Sequence, residues 1–221
     1  MGPGGVDTIV LGDMKGGGEP MLEEAIIRSP DTERANRVPP GQRLTERFPV
    51  LHYGSVPAIE SARWTLSLYG LVEKQVKLTF EEFALLPHVQ VFADLHCVTG
   101  WSKLDTLWGG ISTSVLKDLV SIRPEARYAI VHGAGHFTTN LALEDFFQPD
   151  VLLALTYGGQ PIIADHGAPV RLVVPRLYFW KSAKWVTGVE FTAADRLGFW
   201  ESRGYHRRGD PWKEERYAGA F

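Results

Sequence analysis

Cys97 is the chain's single cysteine, so no intrachain disulfide can form and any thiol chemistry runs through one sulfur. It ends the apolar run Val91-Phe92-Ala93-Asp94-Leu95-His96-Cys97, directly before Val98-Thr99-Gly100-Trp101. By frequency alone a free cysteine reads as core filler, because it is among the most buried residue types. Its position at a break from strand to turn points elsewhere, since loops held by a rigid scaffold collect catalytic and ligand groups. A thiolate there is either a nucleophile, with His132 or His166 as base, or a soft metal ligand. His96 is poorly placed to activate it, because neighbours on a strand face opposite sides.

A second group of residues can carry charge chemistry. His166-Gly167-Ala168-Pro169-Val170-Arg171 is followed by Lys181-Ser182-Ala183-Lys184-Trp185. Gly and Pro set a turn, and Arg171 then opens an apolar strand, where a charge is costly unless paired. A phosphate could pair it, with Arg171 binding in bidentate fashion and Lys184 adding a point charge. The alternative is a salt bridge to Asp165 or Glu190. Gly133-Ala134-Gly135 lacks the third glycine of a dinucleotide fingerprint, and the chain has no Gly-x-x-x-x-Gly-Lys, His-Glu-x-x-His or Cys-x-x-Cys. His132 and His136 would need a helix to converge on zinc, and the glycines between them disfavour one.

Positioning these groups takes strands and short helices. Trp64-Thr65-Leu66-Ser67-Leu68 alternates apolar and polar residues and predicts a strand with one buried face, ended by Gly70. Thr79 with Glu82 is a capping-box pattern, starting a short helix through Phe80 and Phe83 that Pro87 stops. Ser112 or Thr113 is placed to cap a second helix, with Val115, Leu116, Leu119 and Val120 on its apolar face. Further strands are predicted over 128–131, 151–157, 170–174 and 185–191, and a short helix over 141–147. The irregular alternation predicts an α+β fold of mixed sheets with short helices rather than a doubly wound parallel sheet. Residues 1–47, rich in Gly, Pro and charge, read as an N-terminal arm, partly extended, ahead of one domain over 48–221.

Charge and hydropathy exclude several classes. The net charge of −3 gives no overall basic field for nucleic acid or an anionic membrane. No apolar stretch approaches the roughly 18–20 residues that span a bilayer, and the N-terminus has no signal-peptide pattern. The expected location is cytoplasmic. The aromatic content, 7 Trp, 7 Tyr and 11 Phe, suits a walled cofactor pocket as well as a core.

Four segments in order, Leu95-His96-Cys97-Val98-Thr99-Gly100-Trp101, Tyr157-Gly158-Gly159-Gln160-Pro161, His166 to Arg171 and Lys181 to Trp185, resemble the molybdopterin-binding domain of the sulfite oxidase family. That family includes the catalytic subunits of methionine sulfoxide reductases, and the resemblance runs from about Phe48 to Tyr217. It implies a sulfite oxidase-type molybdopterin-binding fold and molybdenum held by the two dithiolene sulfurs of one molybdopterin, by oxo or hydroxo groups and by the Cys97 thiolate. The implied chemistry is oxygen-atom exchange with a two-electron change at the metal. His166, Arg171, Ser182, Ala183 and Lys184 fall where the family contacts the pterin and its phosphate. His52 and Tyr53 fall on a further pterin contact, and Gly133 and Thr138 lie in the next loop that approaches it. Tyr205 matches the active-site tyrosine of sulfite oxidases.

The departures from that pattern concern the substrate. Sulfite oxidases carry anion-binding arginines where this chain has Val50 and Ser102, so sulfite is not the expected substrate. The methionine sulfoxide reductases have a carboxylate where this chain has Thr99. The implied partners are a small oxygen donor or acceptor and a separate electron-transfer partner. A protein that holds the cofactor without turnover is the alternative reading, and a cysteine hydrolase a more distant one.

Overall fold

In the computed structural model, residues 26–219 are described, and they form two mixed sheets joined by short helices. In chain order, the first strands are β1 (Ile26–Arg28), β2 (Arg43–Leu44), β3 (Thr65–Gly70), β4 (Val76–Thr79), β5 (His88–His96) and β6 (Trp101–Ser112). The remaining strands are β7 (Tyr128–Gly133), β8 (Thr138–Ala142), β9 (Leu152–Tyr157), β10 (Gln160–Pro161), β11 (Arg171–Val173) and β12 (Val186–Thr192). The helices are α1 (Phe80–Ala84), α2 (Val115–Val120) and α3 (Leu143–Phe146), none of them long and apolar enough to cross a membrane.

One sheet runs β1-β5-β6-β9-β10, with β2 added on β6 and β11 on β9. The other runs β4-β3-β12-β7-β8. Each combines parallel and antiparallel pairs: β1 with β5 and β12 with β3 are parallel, β5 with β6 and β12 with β7 antiparallel. The expected α+β class is the class observed.

Alternate residues of β9 enter different cores, as a period of two requires. Leu153 joins the larger cluster with Leu66, Leu68, Ile111, Val189 and Phe191. Leu152 and Ala154 join a smaller one with Leu95, Trp108 and Val173, against which Phe48, Trp101 and Phe179 pack. That second cluster forms the floor of the cavity described below.

The sequence reading is met in some elements and corrected in others. Thr79 caps α1 as predicted, its hydroxyl accepting from the Glu82 amide at 3.2 Å while the Glu82 carboxylate accepts from the Thr79 amide at 2.8 Å. The N-cap of α2 is Ser114, without a side-chain bond, rather than Ser112 or Thr113. Thr113 instead donates from its hydroxyl to the Phe146 carbonyl at 2.5 Å, tying the start of α2 to α3. The short helix expected over 141–147 is confined to α3, because Thr138 to Ala142 pair with β7.

β6, the longest strand, carries Gly109 and Gly110 at the point where its register with β9 shifts. A Cβ on Gly110 would come within 2.2 Å of the Leu153 carbonyl oxygen, and one on Gly109 within 2.4 Å of Thr156 Oγ1. Glycine is therefore what lets β9 approach, although it weakens the strand propensity of the segment.

From Ile26 onward the expected arm is joined to the domain rather than separate from it. β1 and β2 extend the first sheet, and Ser29 donates to buried Asp150 at 2.7 Å. Arg37 bonds both oxygens of Asp94, which is fully buried, at 2.6 and 2.8 Å. Residues 1–25, the remainder of that arm, lie outside the described residues, as do Ala220 and Phe221.

Candidate active site

Cys97 follows the last residue of β5 and opens a tight turn. The Gly100 amide donates to the Cys97 carbonyl at 2.9 Å, and Gly100 adopts φ +94°, a conformation that glycine takes without strain. The Cys97 amide is fixed on the Trp101 carbonyl at 2.8 Å, so the sulfur is set by backbone bonds on both sides. The residue is 8% exposed, and the Thr99 hydroxyl donates to Sγ at 3.2 Å. Burial pushes the thiol pKa up, while the bonds from Thr99 and the charge of Arg216 act in the opposite direction. Of the two candidate bases His132 is engaged elsewhere: its Nε2 lies 3.1 Å from the Tyr69 hydroxyl and 3.2 Å from Glu190 on the second sheet.

Cys97 lines a cavity of about 560 Å³. Of the expected residues, Cys97, Tyr205, His52, Tyr53 and His166 line it, together with Arg171, Ser182, Ala183 and Lys184. Gly133 and Thr138 do not. Gly133 lies beneath the Lys184 backbone, where a Cβ would come within 2.5 Å of the Lys184 carbonyl oxygen. Thr138 supports a wall from behind, its carbonyl accepting from the Phe199 amide at 2.7 Å.

One wall is polar and cationic. Arg171 is fully buried, yet it has no carboxylate partner among the described residues. Its guanidinium donates to the His166 carbonyl at 2.7 Å and the Ser182 carbonyl at 3.0 Å, and lies 4.4 Å from the centre of the Phe179 ring. Glu190 is taken by Arg196 and His132, so the salt-bridge alternative is not the one observed. Burial alone lowers the Arg171 pKa to about 9.

Lys184 donates to the Asp165 carbonyl at 2.5 Å, and burial, then the charge of Arg171, brings its pKa down to about 8. His166 stacks face to face on Phe48 at 3.9 Å, with its Nδ1 buried and without a hydrogen-bond partner. Burial, followed by the charges of Arg171 and Lys184, holds the His166 pKa near 4, so the ring is neutral at pH 7. Gly167, at φ +110°, lets the three approach, since a Cβ there would lie 3.0 Å from Lys184 and 3.1 Å from Arg171.

The rest of the lining is mainly aromatic. Tyr205 packs at 5.1 Å from Trp180 and 5.0 Å from Trp200, with Tyr217 at 5.4 Å. Its phenol pKa is raised, first by burial and then by Tyr217 and Cys97. Tyr53 covers Phe199 at 5.0 Å, and the His52 ring meets Trp185 edge-on at 5.8 Å. No lysine or arginine of this wall points a charge into the cavity: Ser102 is buried against His96 at 2.9 Å, and Val50 is exposed outside it.

Sequence reasoning passed over Phe48, whose ring covers His166 without any local motif to mark it. It also treated Thr99 only as a missing carboxylate, although its place two residues after the cysteine already put the hydroxyl within reach of the sulfur. Gln42 and Arg216, which hold the Cys97 turn, carry no signal at all in the sequence.

Residues 53–200 match the family described as the oxidoreductase molybdopterin binding domain. The uncharacterized oxidoreductase YuiH of Bacillus subtilis is 46% identical over 187 residues, which cover 84% of this chain and 94% of that protein. A sulfite oxidase of Arabidopsis thaliana is 26% identical over 191 residues, covering 70% of this chain but 48% of its own length. Among solved structures, the sulfane dehydrogenase SoxCD of Paracoccus pantotrophus superposes with a TM-score of 0.60 at 23% identity, over 65% of this chain and 41% of that one. This likeness shows the fold. The chain thus spans nearly all of one relative and about half or less of the other two.

Proposed function

The chain belongs to the oxidoreductase molybdopterin-binding domain family, and we propose that it is an oxygen-atom-transfer enzyme in which Cys97 is the protein's ligand to molybdenum. The observation that carries this reading is one cavity lined both by a soft sulfur donor and by a buried, uncompensated arginine. An apolar interior tolerates such a cation when an anion completes the site.

The residues present fit the cofactor. Arg171 and Lys184 would face the pterin phosphate, and His166, with its unpartnered Nδ1, would meet a polar edge of the pterin. Phe48, stacked on His166, fixes that ring's plane. Gly133 keeps the Lys184 backbone low enough for the side chain to reach the cavity. When bound, the molybdenum cofactor supplies a two-electron couple and an exchangeable oxygen.

The chain's own residues do the rest. The Thr99 hydroxyl donates to Sγ and fixes its direction. The Tyr205 phenol, its pKa raised, remains protonated at neutral pH and serves as a hydrogen-bond donor to a substrate oxygen. Trp180, Trp200 and Phe199 exclude water around that bond. With Val50 and Ser102 in place of arginines, this end lacks the donors that a small dianion requires. The substrate class that fits is an uncharged oxygen donor or acceptor. Electrons would come from or go to a separate partner.

Molybdenum and pterin analysis of protein from a cofactor-competent host tests the assignment. Stoichiometric metal is expected in the wild type, and Cys97→Ser should hold activity below about one hundredth of wild type while keeping the fold. Absence of molybdenum, or full activity in Cys97→Ser, overturns it. The missing arginines also favour a carrier that holds the cofactor without turnover. Redox assays of the loaded protein with artificial electron donors against neutral oxides and oxyanions separate the two.

A further inference from the structure

The Cys97 turn is held from outside by segments that precede and follow the matched residues 53–200. On the N-terminal side the Gln42 amide side chain donates to the Cys97 carbonyl at 3.1 Å, and the Arg43 backbone amide donates to the Gly100 carbonyl at 2.9 Å. On the C-terminal side Arg216 Nη1 donates to the Val98 carbonyl at 2.6 Å. Its Nη2 reaches the Pro40 and Gly41 carbonyls at 3.3 Å, and the guanidinium lies 5.1 Å from the centre of the Tyr178 ring. One planar fork therefore joins three parts of the chain, a geometry that arginine provides and lysine does not.

Room for that fork is built in. Gly41 has φ +67°, and a Cβ on it would come within 2.9 Å of Arg216 Nη2. The backbone of Arg216 holds a different part of the site. Its carbonyl accepts from the His206 amide at 3.1 Å, and Tyr217 forms a β-bridge with Tyr205. The side chain of one residue thus grips the turn carrying the sulfur, and its main chain grips the segment carrying the phenol.

We propose that Arg216 is a positioning residue that sets the Cys97 turn and the Tyr205 segment against each other. Its bearing on catalysis rests on the reading of Cys97 as the molybdenum ligand. Arg216 touches neither substrate nor cofactor in this scheme. It acts by removing play between the two residues that do, and misplacement of reacting groups by small distances is expensive in rate.

Arg216→Gln, Arg216→Lys and Gly41→Ala test this in two layers. In cofactor-free protein, amide hydrogen exchange by NMR should be about tenfold faster at Cys97 and Gly100 in Arg216→Gln, with Arg216→Lys intermediate. In loaded protein, Arg216→Gln should keep its molybdenum content, change the electron paramagnetic resonance signature of the metal and lower kcat more than it raises KM, with partial rescue in Arg216→Lys. Unchanged exchange and an unchanged signature in folded Arg216→Gln overturn the proposal. Should Arg216→Gln fail to fold, Gly41→Ala decides: it leaves the arginine in place but crowds it, so faster exchange supports the proposal and wild-type exchange overturns it. A wild type without molybdenum would instead defeat the reading of Cys97 as ligand and the catalytic part of this proposal, while the exchange data still judge the placement.

Discussion

Two cations are buried ten residues apart in the chain, and they are completed in opposite ways. Lys181 is fully buried and closed on all sides: it donates to the Asn140 carbonyl at 2.8 Å, to Asn140 Oδ1 at 2.9 Å and to the Arg207 carbonyl, and it pairs with Glu201 at 2.6 Å. Glu201 in turn accepts from Thr139 at 2.9 Å and from Trp180 at 3.1 Å. Arg171 meets only neutral carbonyls and aromatic faces. The Lys181 network locks the 3₁₀ turn over 179–181 to the tail, and its charge is paired within the protein. The Arg171 site has no carboxylate among the described residues, which an anionic ligand would supply under the proposed function. A buried charge whose partners are all neutral is therefore a better marker of a binding site than a buried charge as such.

The sharpest way to break this comparison is to remove each cation in turn. Lys181→Met strands the Glu201 carboxylate in the core and should destabilise the protein by about 3–5 kcal/mol in urea unfolding. Arg171→Met removes the donor from the His166, Ser182 and Leu172 carbonyls and should cost about 1–3 kcal/mol in the cofactor-free protein, with molybdopterin content reduced at least about tenfold. Equal destabilisation by the two variants, with cofactor content retained in Arg171→Met, would make Arg171 a second structural cation.

A smaller effect concerns His166 and His96, both held near pKa 4 by burial against an ordinary value of 6.5. Between those values the unfolded chain binds more protons than the folded one, so their stability contribution is intact above pH 6.5 and is lost as pH falls toward 4. Thermal melts of cofactor-free protein should show this loss, and His166→Gln should flatten it; an unchanged slope would mean that His166 is not held neutral.

The smallest effect belongs to Lys184, which is charged only below about pH 8 in the folded protein. From there to its ordinary 10.5, the cofactor-free protein should gain stability with rising pH, because the unfolded chain again holds more protons. Retention of a phosphate-bearing cofactor should weaken over the same rise. Opposite slopes in melting and in cofactor release, both absent in Lys184→Met, would sharpen the contrast between a cation that serves a ligand and one that serves the fold.

Much of the cationic wall was legible in the sequence because it is local: His166 to Arg171 and Lys181 to Lys184 are short segments whose residue types state their chemistry. The capping box of α1 was legible for the same reason. β6 was not, because Gly109, Gly110 and its polar residues have low strand propensity, and its stability comes from pairing with β5 and β9 on both sides. The integration of residues 26–47 was equally hidden. Their Gly- and Pro-rich composition suggests an arm, whereas the Arg37–Asp94 pair and the two added strands depend on partners tens of residues away. Arg216 is the extreme case, since nothing near it in sequence announces a contact with Val98.

The glycine pair of β6 has a consequence for how such a site can change over evolutionary time. Its two positions admit no side chain without moving β9, and β9 carries the floor on which the cationic wall rests. In the tail that supplies Tyr205 and Tyr217 the restriction falls on Gly209, whose Cβ would come within 2.6 Å of the Trp180 ring, whereas the partly exposed rings of Tyr205 and Tyr217 can be exchanged one at a time. Selection can therefore rewrite which molecule enters the cavity far more freely than it can alter the floor beneath it.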